Sequence, residues 1–360
     1  MKYGMDLTEL ARELMSRKND NRVHDYLADT RCMVFDADSN GDMISLNNGS
    51  STTMLTLNGV AREQIGQAFD IPSRYYDRMQ KDNPELLAMT INSWFNKEPK
   101  RRLVRSLDGT ARAFLSDKYR VIDNDQIAEA VLPIISSIPG MVIESCNLTD
   151  EKMYIKCVNP RLTAEVTPGD IVQSGIIVSN SEVGRGCLCI QPLVYRLVCK
   201  NGMVVNDAAT RKYHVGRGNQ ANEDFSMYTD ATIEADTRAL IMKVQDTVRS
   251  VSEQVRFDNV VEKMRLAKQA EITTHNIPAM VELAGKEFKY TQNEGQSILD
   301  YLVRGGDLTM YGMANAVTRA AQDVDSYDRS TVMESIGYNI LTMANAKWKQ
   351  LNAMSAVYAS

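Results

Sequence analysis

The chain has 360 residues, 44% apolar and 24% charged, with a formal net charge of −5. That length is enough for a substantial core and two domains, and the composition is ordinary for a soluble globular protein. No run of about 18 uninterrupted apolar residues occurs, so no membrane span is expected.

Residues 5–18 read as an amphipathic helix, with Leu7, Leu10, Ala11 and Leu14 as its apolar stripe. This N-terminus lacks the apolar centre of a secretory signal, which points to the cytoplasm. A polar stretch from Asp36 to Ser51 reads as a hairpin or exposed loop. Asp36, Asp38, Asn40 and Gly41 fit the start of a calcium loop, but Asn47 stands where the bidentate Glu belongs. Two short helices, Gly59 to Phe69 and Pro72 to Gln80, are separated by the break Ile71-Pro72, and a third covers 84–96. Leu103 to Ser106 and Ala111 to Leu115 form a strand pair about Leu107-Asp108-Gly109-Thr110, since Asp-Gly between such runs is a strong hairpin signal.

Asp123 to Ile135 is helical. Strands are expected at Met141 to Cys146, Met153 to Val158, Ile171 to Asn180, Gly186 to Val198 and Met203 to Val205. Residues 229–271 give one or two long helices, shorter helices follow Ile277, and Ser330 to Val357 is helical again. The expected class is α+β: an N-terminal domain over 1–218 with a largely antiparallel sheet and flanking helices, then an all-helical domain over 219–360. The division is placed in the polar stretch Gly216 to Glu223.

Positive charge concentrates against the trend between Lys97 and Arg120. Lys97, Lys100, Arg101, Arg102, Arg105, Arg112, Lys118 and Arg120 stand there against Glu98, Asp108 and Asp117. A second cluster comprises Tyr195, Arg196, Lys200, Arg211, Lys212, Tyr213, His214 and Arg217. Cations neutralise phosphates and flat rings stack on bases, so the pattern suits single-stranded nucleic acid. Tyr119, Tyr195 and Tyr213 adjoin cations and are the expected stackers, whereas Phe114, Trp94 and Phe95 are assigned to the core. One groove through both clusters is the working expectation.

Signatures of chemistry are sparse. The six cysteines sit mostly in apolar or strand-like runs and read as reduced, and Cys187-Leu188-Cys189 has no matching ligand pair for zinc. Gly184-Arg185-Gly186 lacks the Lys-Ser/Thr of a P-loop. Glu144, Asp150 and Lys152 offer a fragment of a nuclease metal site. No cofactor is called for, and the reading is of a protein that is not an enzyme.

Three ordered segments carry a family resemblance: Arg112 to Asp125 (RAFLSDKYRVIDND), Gly175 to Gly186 (GIIVSNSEVGRG) and Tyr195 to Val205 (YRLVCKNGMVV). Over roughly residues 60–220 the chain resembles the phage/plasmid-like family filed as domain of unknown function 932. That resemblance implies a role in replication, recombination or counter-defence. The overall layout is similar to phage single-strand annealing proteins of the RecT/Beta type. This implies a homo-oligomeric ring or helix that binds single-stranded DNA and anneals complementary strands without nucleotide hydrolysis. A phage exonuclease or host single-strand binding protein would be the partner of the helical domain. A counter-defence interaction protein and a metal-dependent nuclease are the alternatives.

Overall fold

The structure, a computed structural model, describes residues 1–119, 121–206, 211–213 and 230–357. Its first element is α1 (Leu7–Asn19), opened by a capping box in which Asp6 and Glu9 satisfy each other's backbone N–H. There follow β1 (Val23–Asp29), β2 (Met33–Asp38), β3 (Gly41–Asn47) and β4 (Thr52–Leu57), then α2 (Gly59–Ala68), α3 (Ser73–Asp82) and α4 (Pro84–Lys97). The hairpin β5 (Arg101–Leu107) and β6 (Thr110–Ser116) completes a six-stranded sheet of order β1-β5-β6-β4-β3-β2. Asp108 and Gly109 both have positive φ, as this two-residue turn requires.

The polar Asp36 to Ser51 stretch is thus the hairpin of the two expected alternatives, joining the end of β2 to β3. Met33, Phe35, Ala37, Ile44 and Leu46 alternate inward onto α2–α4, and the polar residues between them face outward. Asp38 spends its carboxylate on the turn, accepting from the N–H of Asn40 and Gly41. At the β2 edge, Asn92 of α4 accepts from Phe35 N at 2.8 Å and donates to Phe35 O at 2.8 Å. A side-chain amide therefore takes the place that another strand would occupy.

The second sheet starts after α5 (Asn124–Ser137) with β7 (Val142–Leu148), β8 (Met153–Glu165), β9 (Ile171–Asn180), β10 (Leu188–Arg196) and β11 (Asn201–Val204), in the antiparallel order β11-β10-β9-β8-β7. A short β12 (Arg211–Tyr213) pairs with Leu188–Ile190 at the start of β10. Ile155, Cys157, Ile176, Val178, Leu188 and Ile190 turn one face towards α1, α5 and α6 (Asp230–Val251). Tyr154, Lys156, Val158, Ile177, Leu193 and Tyr195 occupy the other. Because both faces are covered, β9 reads as an almost unbroken buried run.

The remaining helices are α7 (Gln254–Lys268), α8 (Ile277–Phe288), α9 (Gln292–Gly305), α10 (Met310–Ala320), α11 (Tyr327–Leu341) and α12 (Asn345–Val357). The class is α+β, as expected. The expected division at Gly216 to Glu223 falls wholly within residues 214–229, outside the described residues. The largest apolar cluster draws on sequence from both sides of it, joining Val166, Val172 and Val194 to Phe257, Met264, Tyr311 and Ile340. No helix among the described residues is long and apolar enough to cross a membrane.

Polar anchors join α10 and α11 to the second sheet. Lys156 Nζ donates to Glu334 Oε2 at 2.6 Å, with both side chains at 0% exposure, and lies 4.6 Å from the Tyr327 ring centroid. Tyr154 donates to Asp328 at 2.7 Å, and Asn201 is bonded to Thr318. Burial lowers the Lys156 pKa against the opposing pull of Glu334. Glu334→Leu alone strands the ammonium and should cost about 3–5 kcal/mol in urea unfolding at neutral pH. Lys156→Met with Glu334→Leu should recover most of that loss. Equal destabilisation of the single and double variants would show that packing, not charge, sets the cost.

Candidate nucleic-acid interface

The cationic stretch divides into exposed and enclosed residues, and Thr30 organises the exposed part. Fully buried after β1, Thr30 donates through Oγ1 to Phe95 O at 2.9 Å, accepts from Lys100 N at 3.2 Å and donates through its own N–H to Lys100 O at 3.1 Å. Those bonds tie the end of α4 to the start of β5. Trp94, Lys97, Lys100 and Arg101 are therefore held at one end of the first sheet, and Arg31 joins them from the turn beside Thr30.

Trp94 is 37% exposed and Lys97 Nζ sits 5.8 Å from its ring centroid. The core assignment thus fails for Trp94 but holds for Phe95 and Phe114, which are buried. Lys100 has only a 3.7 Å contact with Glu98, and Arg101 is exposed opposite Asp29. Arg102 is half-buried, its guanidinium 5.4 Å from the Phe114 ring, and burial lowers its pKa. Lys118 is exposed just past Ser116, which pairs with Arg102, so it belongs to the same end.

Arg105 and Arg112 correct the expectation of phosphate contacts. Arg105 has no exposure; it donates to Asp25 at 2.8 Å, Asp123 at 2.7 Å and Glu182 O at 3.0 Å. Arg112 occupies a bulge where Arg105 pairs with Ala113 and Ser106 with Ala111. A bulge re-aims its extra side chain, and Arg112 here reaches the buried Glu182 carboxylate. Glu182 also accepts from Asn124 N at 2.5 Å, while Asn180 donates to Ile122 O and Asn124 Oδ1. The segments Arg112 to Asp125 and Gly175 to Gly186 thus fold into one charged knot between the sheets. A cleft of about 300 Å³ beside it is lined by Arg17, Lys18, Asp25, Arg105, Asp123 and Asp125.

Tyr119 donates to Ser181 O at 3.1 Å and is half-buried against the same loop. Arg120 lies outside the described residues. The second cluster does not continue the first. Tyr195 is buried under Tyr327, and Arg196 holds Asp170 through two bonds of 2.6 and 3.0 Å. Lys200 is exposed, whereas Arg211, Lys212 and Tyr213 pair by their backbone with the opposite end of β10, and their side chains, like His214 and Arg217, lie outside the described residues. Five residues of strand, about 16 Å, separate Ile190 from Tyr195. Among the described side chains, Tyr195 and Arg196 are thus withdrawn from the expected groove, and Lys200 alone of this cluster is exposed. The acids that enclose the arginines were missed; Glu182, a lone carboxylate beside apolar Val183, was the available signal.

Among the described residues no three His, Cys, Asp or Glu side chains are placed to hold a metal ion. Burial raises the Asp123 pKa despite Arg105. Burial alone would raise Glu182 too, but Arg112, Asn124 N–H and Arg105 together outweigh it and hold the carboxyl below its ordinary 4.5. A depressed folded pKa contributes stability above the unfolded value, lost as pH falls through the folded value. Glu182→Gln should therefore cost about 3–5 kcal/mol at pH 7. The deficit against wild type should shrink below pH 4.5 in urea titrations. A deficit independent of pH would exclude the charge as its cause.

No curated protein and no solved structure matches the chain. A family model described as "Domain of unknown function (DUF932)" matches residues 113–336, beginning and ending later than the 60–220 expected from the motifs. That span includes Asp123, Asn124 and Glu182 of the charged knot, though not Arg105, Arg112 or Asp25, and it includes Lys156 with Glu334; on it the chain belongs to the DUF932 family.

Proposed function

We propose that this protein binds single-stranded nucleic acid through the exposed end of its first sheet and pairs complementary strands without hydrolysing nucleotide. The observation that carries the reading is Trp94, a part-exposed ring with Lys97 Nζ 5.8 Å from its centroid, next to a segment in which Thr30 ties Phe95 O to the backbone of the exposed Lys100. A ring offers a base-stacking platform without sequence preference, and the cations follow the phosphates. Lys118 extends the surface along β6. Arg105, Arg112, Arg196 and Tyr195 are structural in this reading and take no part in contact. Annealing, a homo-oligomer and docking of an exonuclease or single-strand binding protein on the helices belong to the same proposal.

The chain contains two tryptophans, Trp94 and Trp348, and Trp348 is only 3% exposed. Titration with an unlabelled thymidine oligonucleotide at low salt should quench tryptophan emission, and Trp94→Phe should abolish the quench. Lys100→Ala with Arg101→Ala should weaken binding and reduce the salt slope by about 1.4, at about 0.7 for each phosphate no longer neutralised. A gel-shift series with and without magnesium separates the alternatives. Cleavage would favour the nuclease reading, and no shift at low salt would favour an interaction protein.

A further inference from the structure

Away from that surface, a cleft of about 290 Å³ lies between the end of β10 and helices α9 and α10. Arg196, Arg304 and Arg319 line it, with Tyr301 and Asn315. The one carboxylate in the lining, Asp307, is paired with Lys268 at 2.8 Å. The acids that partner the three arginines are Asp170, Asp300 and Asp323, and none of them lines the cleft. The cleft is thus lined by three arginines and, apart from the Lys268-paired Asp307, by no carboxylate.

One group in this wall has unused hydrogen-bonding capacity. Arg319 is one-third exposed; it stacks 4.8 Å from the Tyr301 centroid and approaches Asp323 at 3.6 Å, but donates no hydrogen bond to a described residue. Asn315 is 8% exposed. The neighbouring Tyr311 hydroxyl donates to Asp170 at 2.9 Å and turns its acceptor side to the Asn315 side chain, which opposes the rise of its pKa. A guanidinium matches the oxygens of a phosphate.

We propose that this cleft binds a phosphate monoester. Arg319 supplies the principal charge, and Arg304 a guanidinium at the rim. Both a free mononucleotide and the 5′-phosphate of a strand carry this chemistry.

Isothermal titration with adenosine monophosphate at low ionic strength tests the proposal, with adenosine, inorganic phosphate, and oligonucleotides bearing a 5′-phosphate or a 5′-hydroxyl as further arms. Arg319→Gln should weaken phosphate binding about tenfold or more, and Arg304→Gln should weaken it less. Circular dichroism melting of each variant checks its fold. Binding of the mononucleotide or inorganic phosphate that depends on Arg319 identifies a free ligand. An Arg319-dependent preference for the 5′-phosphorylated strand alone identifies a strand end. The proposal is overturned if no phosphate-bearing probe binds, if adenosine binds as well as its monophosphate, or if folded Arg319→Gln binds like wild type. Because Trp94 and Lys100 lie elsewhere, their variants should retain mononucleotide binding.

Discussion

Arg105 has no solvent exposure, and its charge has to be balanced where it stands. Burial by itself lowers its pKa, but Asp123 and Asp25 outweigh that effect and raise it above its ordinary value. Its partners come from β1, from the start of α5 and from the loop after β9, so neutralising one side chain fixes three parts of the chain together. Arg112 repeats the device through Glu182, which also receives Asn124 N–H. This knot joins the first sheet to the second together with a small apolar contact of Val60, Ala113, Leu115 and Val183 and the bond from Gln64 to Val183 O. The mutual position of the sheets therefore depends on charge balance as well as on buried area.

The same logic separates structural cations from accessible ones. Arg105, Arg112 and Arg196 each meet carboxylates in regions of low exposure, where an unpaired charge would be prohibitive. Lys97, Lys100, Arg101 and Lys118 remain in water, where weak pairing costs little and a polyanion can compete for them. At the opposite side of the second sheet, Lys156 and Glu334 fasten α11 by an ion pair with both side chains enclosed. Three separate chemistries thus share one scaffold: an enclosed knot, an enclosed latch and an exposed cation–aromatic end.

Much of the fold was legible in the sequence because local patterns agreed with the tertiary result. The Asp108-Gly109 turn placed the β5–β6 hairpin, and the apolar runs from Met153 and Ile171 gave β8 and β9. The segments β1 and β4 were missed because both are half-polar: β1 is an edge strand whose only partner, β5, is remote in sequence, and β4 lies between β3 and the remote β6. The interface was legible only in part. Counting cations found Lys97 to Lys118, but not which of them would meet a carboxylate from Asp25, Asp123 or Glu182.

By itself the sequence determined the α+β class, the hairpin, most helices and the concentration of positive charge, because these follow from spacing and composition along the chain. Only the tertiary structure decided which arginines are consumed. A bulge turns Arg112 inward, a buried threonine holds Trp94 and Lys100 outward, and the second basic cluster is distributed along β10 instead of extending the first. The physical reason is that charge is a property of a residue, whereas its availability depends on neighbours that can be more than seventy positions away, as Glu182 is from Arg105.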